Sequence, residues 1–361
     1  MSEAIDWGLA ERVAVRLAGT DPFQGSYHFA SLQPDFDELT AEAEALVGEA
    51  TGLHSLLGPA RARVADRQDW VRANIASFQR LLRPITSRLG EHLRGPMAPV
   101  ARRAAGLEVG SLLGWMSARV LGQYDLLVIE DEQPEEQDLV YYIGPNVLAL
   151  EKRYAFPPRE FRLWLALHEV THRAQFTGVP WMRKHFLGLV HQTLGTADPD
   201  PKRLLEAIKR AADQVRAGRN PLDDGGIVTL LASPDQRVAI DAIGGLMSLL
   251  EGHGDVTMDR AGAHLIASAD RFSRVLRQRR DVKGVAKTLR KLVGIEAKMA
   301  QYEQGEKFIA AVEAARGPEF LNRVWSASTL VPTLAEIRDP VRWMDRVESS
   351  GVPHGALTTV P

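Results

Sequence analysis

The sequence predicts a mainly helical protein of the α+β class with one small β-sheet. Apolar residues recur at helical spacing through most of the 361 residues. Only the stretch from residue 126 to residue 143 has the β-branched and aromatic runs that are typical of paired strands. The composition, 45% hydrophobic and 25% charged, is that of a globular protein and excludes a disordered or fibrous one.

The first 120 residues are predicted to form a helical region. Asp35 is expected to cap a helix that runs to about Leu57. Apolar residues at helical spacing predict a second helix from Ala60 to Leu82, and small residues that permit close packing fill a third from Leu107 to Leu121. The N-terminal third should therefore contain no strand.

The predicted strand pair comprises Leu126–Ile129 and Leu139–Ile143, which flank an acidic turn. Gly144 and Pro145 end the second strand, and Asn146 is expected to cap a short helix. A further helix is predicted from Glu160 to about Phe176. Gly, Pro and Asp residues then separate the remaining predicted helices, which span 181–193, 201–217, 235–258, 260–280, 284–303 and 305–316.

These patterns predict three parts of the chain. The helical N-terminal region covers residues 1–120, and a domain that contains the strand pair covers 121–345. Proline residues interrupt the end of the chain, so residues 346–361 are expected to form a loose tail.

Charge and cysteine content exclude several classes of protein. The 44 basic and 46 acidic residues give a net charge of −2, which argues against a nucleic-acid partner. Cysteine is absent, which excludes disulfides and cysteine ligands, so any metal must be held by His, Asp or Glu. No signal peptide and no apolar run of the roughly 18 residues that span a bilayer is visible, so we expect a cytoplasmic protein without a membrane partner.

The strongest functional motif is the H-E-x-x-H of His168, Glu169 and His172 on the predicted helix. Residues four apart lie on one helical face, so both imidazoles can reach one zinc ion. Glu169 is placed to act as general base on a zinc-activated water. Arg173 is unexpected, because the position after the second histidine is usually uncharged in zinc peptidases.

A third ligand is expected in the segment LLEGHGDVTMD. Glu251 continues an apolar stripe formed by Ile240, Ile243 and Met247, and a buried carboxylate needs a partner or a metal. We therefore predict that Glu251 is the third ligand. Asp255 lies four residues later and is predicted to accept an imidazole N–H from a histidine ligand. His253 and Asp255 itself remain alternative ligands.

These motifs resemble those of the zincins with a glutamate ligand, the gluzincins. More closely, the chain resembles bacterial zincin-like hydrolases whose family name associates them with deazaflavin coenzyme biosynthesis. The resemblance covers roughly residues 60 to 345. It rests on Gly122-Gln123-Tyr124-Asp125, Gly144-Pro145-Asn146, HEVTHRAQF, LEGHGDVTMD, and Lys298-Met299-Ala300-Gln301-Tyr302 with Gly305 and Phe308.

The resemblance implies a metal-dependent hydrolase. We predict that it hydrolyses amide bonds, with zinc as cofactor and a peptide or protein as substrate. By analogy with zincins, the strand Leu139–Ile143 is expected to pair with an extended peptide. Tyr141, Tyr142, Tyr302 and His253 are candidate donors to the oxyanion. Two alternatives stay open, a zincin fold that binds partners without catalysis and a hydrolase of a small amide-containing metabolite.

Overall fold

The computed structural model describes residues 4–21, 23, 25–92, 97–124, 138–195, 233–280 and 295–351. Helices predominate and one small sheet is present, so the predicted mainly α class is confirmed. The described chain packs into two compact units, Met1–Gly178 with Met258–Phe272, and Val179–Thr257 with Ser273–Pro361. The predicted boundaries after residues 120 and 345 stay predictions.

The first unit contains seven helices among the described residues and a three-stranded sheet. The helices are α1 (Trp7–Ala18), α2 (Tyr27–Ala30), α3 (Leu32–Thr51), α4 (Arg67–His92), α5 (Ala98–Ser117), α6 (Gly144–Tyr154) and α7 (Pro158–Gly178). The strands are β1 (Arg61–Ala65), β2 (Gly122–Tyr124) and β3 (Leu139–Ile143). Part of its core is formed by Trp7, Ala10, Ala14, Trp70, Val71, Ile75, Leu113 and Ile143.

The second unit contains helices and no strand among its described residues. Its helices are α8 (Met182–Gly195), α9 (Pro234–Gly262), α10 (Ala269–Arg280), α11 (Ile295–Arg316), α12 (Pro318–Asn322), α13 (Leu334–Arg338) and α14 (Pro340–Ser349). Helix α9 is continuous through Thr257, so its last turn belongs to the first unit, as does the start of α10. Phe308 and Trp343 meet edge to face in the core of the second unit, with ring centroids 5.2 Å apart.

The sheet has the order β1-β3-β2, with β1 parallel and β2 antiparallel to the central strand. Because β3 has a partner on both sides from Val140 to Tyr142, a further chain cannot pair with it there. The expectation that an extended peptide adds to this strand is therefore wrong. The predicted strand Leu126–Ile129 lies outside the described residues.

The predicted helix from Ala60 to Leu82 is wrong over its first turns, where the structure has β1. The side chain of Gln33 on α3 satisfies the outer edge of this strand. Its amide nitrogen donates to the carbonyl of Ala62 at 3.1 Å, and its oxygen accepts the N–H of Val64 at 2.8 Å. These partners are distant in sequence, so local periodicity does not reveal them.

Three other local predictions are corrected. Helix α3 begins at Leu32, so Asp35 lies in its first turn and forms an ion pair with Arg162 instead of capping. Asn146 lies inside α6, where its amide donates to the carbonyls of Ser117 and Val120. Helix α11 continues through the predicted break between residues 303 and 305, so Gly305 lies within it.

Close packing explains why Gly305 is found in the middle of α11. A Cβ atom at this position would lie 1.9 Å from the carbonyl oxygen of Ser248 on α9. Glycine is therefore required by the close approach of two helices and not by a turn. Of the other predicted segments, 201–217 and the start of 284–303 lie outside the described residues.

Candidate metal centre

Helix α7 carries the H-E-x-x-H motif, as predicted. Buried residues surround the motif in sequence, among them Leu167, Val170 and Thr171. The imidazoles of His168 and His172 are only half-buried. The helix therefore buries most of its surface and leaves the two histidines partly exposed.

The ring nitrogens of the two imidazoles are about as far apart as two ligands of one metal ion. Their Nε2 atoms lie 3.2 Å apart, and the rings are nearly perpendicular at 87°. A tetrahedral zinc ion with Zn–N bonds of about 2.0–2.1 Å separates two nitrogen ligands by about 3.3–3.4 Å. The histidine pair thus fits a zinc ion with little rearrangement.

Gln175 contacts the other nitrogen of the second histidine, and the sequence reasoning missed it. Its Oε1 lies 3.0 Å from Nδ1 of His172, and the glutamine side chain is buried. The spacing of three residues along one helix could have identified the pair, because residues i and i+3 are neighbours on a helical surface.

Glu169 points to the sheet, where the short strand β2 fixes its carboxylate. The backbone N–H of Tyr124 donates to its Oε2 at 3.1 Å. A Cβ atom on Gly122 would lie 2.7 Å from its Oε1, so the glycine leaves room for the carboxylate. Glu169 is 8% exposed. Strand β2 was not predicted as a strand, although its residues carry part of the family resemblance.

Glu251 lies on α9 and is 5% exposed. His168, His172 and Glu251 each offer one ligand atom, and these three atoms lie within 4.8 Å of one another. Two imidazole nitrogens and one carboxylate oxygen are a donor set that suits zinc. These residues therefore form a candidate metal site.

The apolar stripe on α9 that predicted Glu251 does not form the buried face of this helix. Ile240, Ile243 and Met247 are only half-buried, whereas Leu246 and Leu250 are fully buried. The face of α9 that packs inward is thus rotated from the predicted one. Glu251 follows Leu250 directly and is buried beside this face.

The two alternative ligands lie near Glu251 in sequence but outside the cluster found among the described residues. The ring of His253 packs edge to face on that of Trp325, with centroids 5.0 Å apart. Asp255 is half-buried. Its predicted role as acceptor of an imidazole N–H stays a prediction, whereas Gln175 contacts Nδ1 of His172.

Arg173, the unexpected charge after the motif, has a structural environment. Its guanidinium is 1% exposed and forms ion pairs with Asp138 and Glu44, both with N–O distances of 2.6 Å. It also donates to the carbonyl of Gly58 at 2.7 Å. The charge therefore connects α7 to the residue before β3 and to α3, and it points away from the histidine face.

Of the candidate oxyanion donors, Tyr142 has a packing role. It is fully buried, stacks on Phe36 with ring centroids 3.8 Å apart, and shares a hydrogen bond of 2.8 Å with Thr40. Burial raises the pKa of its phenol. Tyr141 is half-buried, and the side chain of Tyr302 lies outside the described part of the chain.

A cavity of about 240 Å³ lies on another face of α7. Val170, Arg173 and Ala174 form its wall on this helix, and Glu44 and His54 contribute polar atoms. These positions on α7 are rotated from those of the two histidines, so this cavity is separate from the histidine face.

Comparisons with known proteins agree with this geometry. A family model described as zincin-like metallopeptidase matches residues 5–344. A crystal structure from Chloroflexus aurantiacus, described as a candidate hydrolase with a novel fold, is similar with a TM-score of 0.71 and 29% identity. The match covers 96% of this chain and 100% of that chain. The comparison with curated proteins found no match.

No helix among the described residues is long and apolar enough to cross a membrane.

Proposed function

The chain belongs to the zincin-like metallopeptidase family, and from this premise we propose that it is a zinc-dependent hydrolase that cleaves amide bonds in peptides. One observation carries the proposal, which is the cluster of three ligand atoms from His168, His172 and Glu251. The 3.2 Å between the two Nε2 atoms supports it, because this is close to the spacing of two ligands on one tetrahedral ion.

His168, His172 and Glu251 would hold the ion. A donor set of two imidazoles and one carboxylate also suits iron or manganese, and zinc is preferred because a helical H-E-x-x-H is its usual setting. When bound, zinc supplies Lewis-acid polarisation of the substrate carbonyl and lowers the pKa of water.

Glu169 is the proposed general base. Its carboxylate takes the proton from the attacking water and passes it to the leaving amine. The N–H of Tyr124 holds one oxygen of the carboxylate, which fixes its orientation before substrate arrives. Such a fixed orientation matters because proton transfer requires hydrogen-bond reach to the reacting group.

A peptide is the proposed substrate. It cannot bind by adding a strand to β3, because β3 is the central strand and is paired on both sides. The cytoplasmic location and the lack of nucleic-acid and membrane partners stay predictions from the sequence. The deazaflavin association belongs to the name of the resembling family, and the hydrolytic chemistry proposed here does not depend on it.

A peptide-library assay with Glu169→Gln tests the proposal. We expect the wild-type protein to cleave a mixed-sequence library, a chelator to stop cleavage and zinc to restore it. Glu169→Gln should keep zinc and fold but lose cleavage. Glu38→Gln, which changes an exposed carboxylate, is the matched control and should cleave normally.

Three other outcomes would contradict the proposal in whole or in part. Undiminished cleavage by Glu169→Gln would remove Glu169 from the mechanism. A zinc-loaded wild-type protein that binds peptides tightly without cleaving them would instead support a binding or scaffold protein. Cleavage of small amides but not of peptides would retain the hydrolase and change its substrate class.

A further inference from the structure

We propose that Gln175 is a positioning residue that fixes the tautomer and ring orientation of His172. The inference rests on the proposed function in so far as His172 is a zinc ligand. It concerns a pair of side chains within one helix, α7.

The contact between the two side chains is short and enclosed. Oε1 of Gln175 lies 3.0 Å from Nδ1 of His172, and the glutamine has no exposed surface. A buried amide on a helix has few alternative rotamers, so the position of its oxygen is well defined. Gln175 therefore presents a fixed acceptor to the imidazole.

An amide oxygen can only accept a hydrogen bond, so the proton of a neutral His172 must be on Nδ1. The lone pair is then on Nε2, the atom that lies 3.2 Å from Nε2 of His168. This tautomer is the one in which Nε2 can bind a metal ion. Gln175 thus selects the tautomer of His172 that is competent as a ligand.

The positions of the three side chains explain how one helix supplies both ligands and this partner. His168, His172 and Gln175 follow spacings of four and three residues, which place them on one helical face. Asp255 was predicted to accept such an imidazole N–H, whereas the observed acceptor on Nδ1 of His172 is a neutral amide from the same helix. The acceptor for this ligand is thus supplied by its own helix.

Zinc affinity of two variants at this position gives the test. Gln175→Met has nearly the same volume but no acceptor, whereas Gln175→Glu keeps an acceptor at the same reach. We expect Gln175→Met to bind zinc about 10–100-fold more weakly in competition with a chromophoric chelator, the loss that is typical for the partner of a metal-bound histidine. Gln175→Glu should recover most of the affinity.

Thr177→Val is the matched control. Thr177 is a buried polar residue on the same helix, and its hydroxyl donates to the carbonyl of Arg173 at 2.7 Å. Its loss perturbs α7 without changing the environment of Nδ1 of His172. The control should therefore lower the melting temperature and leave zinc affinity unchanged. Equal weakening in Thr177→Val and Gln175→Met would overturn a specific role for Gln175.

A second measurement is independent of zinc. Long-range ¹H–¹⁵N NMR spectra of the metal-free protein report which ring nitrogen of His172 carries the proton. We expect Nδ1–H in the wild-type protein and a mixture of tautomers in Gln175→Met. Nε2–H in the wild-type protein would overturn the inference. If the wild-type protein binds no zinc, the proposed function fails, and this spectrum alone decides the role of Gln175.

Discussion

The backbone N–H of Tyr124 donates to Oε2 of Glu169 at 3.1 Å, and this bond joins the strand β2 to the helix α7. Tyr124 pairs with Val140 of β3, and alternate residues of an antiparallel strand direct their N–H groups to opposite sides. The N–H of Tyr124 is therefore directed to the outer edge of the sheet. The carboxylate proposed as general base is therefore held by a backbone donor.

Gly122→Ala is expected to displace Glu169. The new methyl group would lie 2.7 Å from Oε1 of the carboxylate, so the side chain must move. Misplacement of a catalytic group by about 1 Å can cost about 100-fold in rate. We therefore expect hydrolysis to fall by about 10–100-fold with zinc affinity unchanged, measured by peptide turnover and chelator competition.

Gly188→Ala provides the control for this substitution. Gly188 is an exposed residue of α8, and a methyl group added to it would have no atom within 4 Å other than those of its own helix and chain neighbours. Alanine there should stabilise the helix by about 0.5–1 kcal/mol and leave turnover unchanged. A Gly122→Ala variant with normal turnover would show that the position of Glu169 does not limit catalysis.

Arg173→Met should strongly destabilise the first unit. The substitution leaves the carboxylates of Asp138 and Glu44 without their buried counter-ion. Removal of one member of a buried ion pair typically costs about 3–5 kcal/mol. The free energy of unfolding in urea measures this loss.

Arg159→Met is the corresponding surface variant. Arg159 is 61% exposed and pairs with Glu42, so its loss should change the free energy of unfolding by at most about 1 kcal/mol. Equal effects of the two substitutions would contradict a structural role for Arg173.

The carboxyl group of Glu336 is expected to make stability depend on pH. Burial raises the pKa of Glu336. Hydrogen bonds from Arg346 and from Thr333 together lower it by more than burial raises it, so the net pKa lies below the ordinary value. A lowered pKa in the folded state contributes stability above the unfolded pKa of about 4.3, and this contribution is lost as the pH falls through the folded pKa.

Glu336→Gln should therefore be less stable than the wild-type protein at about pH 7, and the difference should shrink at about pH 3. Thermal unfolding at the two pH values measures it. Glu348→Gln is the control, because Glu348 is 46% exposed in a surface pair with Arg316. A difference between Glu336→Gln and the wild-type protein that is the same at both pH values would contradict the prediction.

Local patterns in the sequence predict the helices well because helical contacts are local. The H-E-x-x-H helix is an example, since its ligand spacing follows from the helix period alone. Strand β1 was missed because its stability depends on β3 and on Gln33, which are distant in sequence. A break between helices was predicted next to Gly305 because the close approach of α9 is a tertiary contact that the sequence does not show.

In the candidate site, too, the residues of a local motif could be predicted, whereas contacts between elements distant in sequence could not. His168, Glu169 and His172 follow from one local motif, whereas the choice of Glu251 depended on an apolar stripe that the structure places on a different face. Tyr124 could not be linked to Glu169 because a backbone donor carries no residue-type signal. The role of Arg173 was also hidden, because its partners Asp138 and Glu44 lie in other elements.

The metal content of three purified proteins tests the central claim most directly. Elemental analysis of the wild-type protein, His168→Ala and Glu251→Ala should find about one zinc per chain in the wild type and none in either variant, because two ligands hold zinc weakly. Circular dichroism confirms that the variants are folded. Zinc retained in Glu251→Ala would contradict Glu251 as the third ligand, and no zinc in the wild-type protein, even after zinc is supplied, would contradict the metal centre itself.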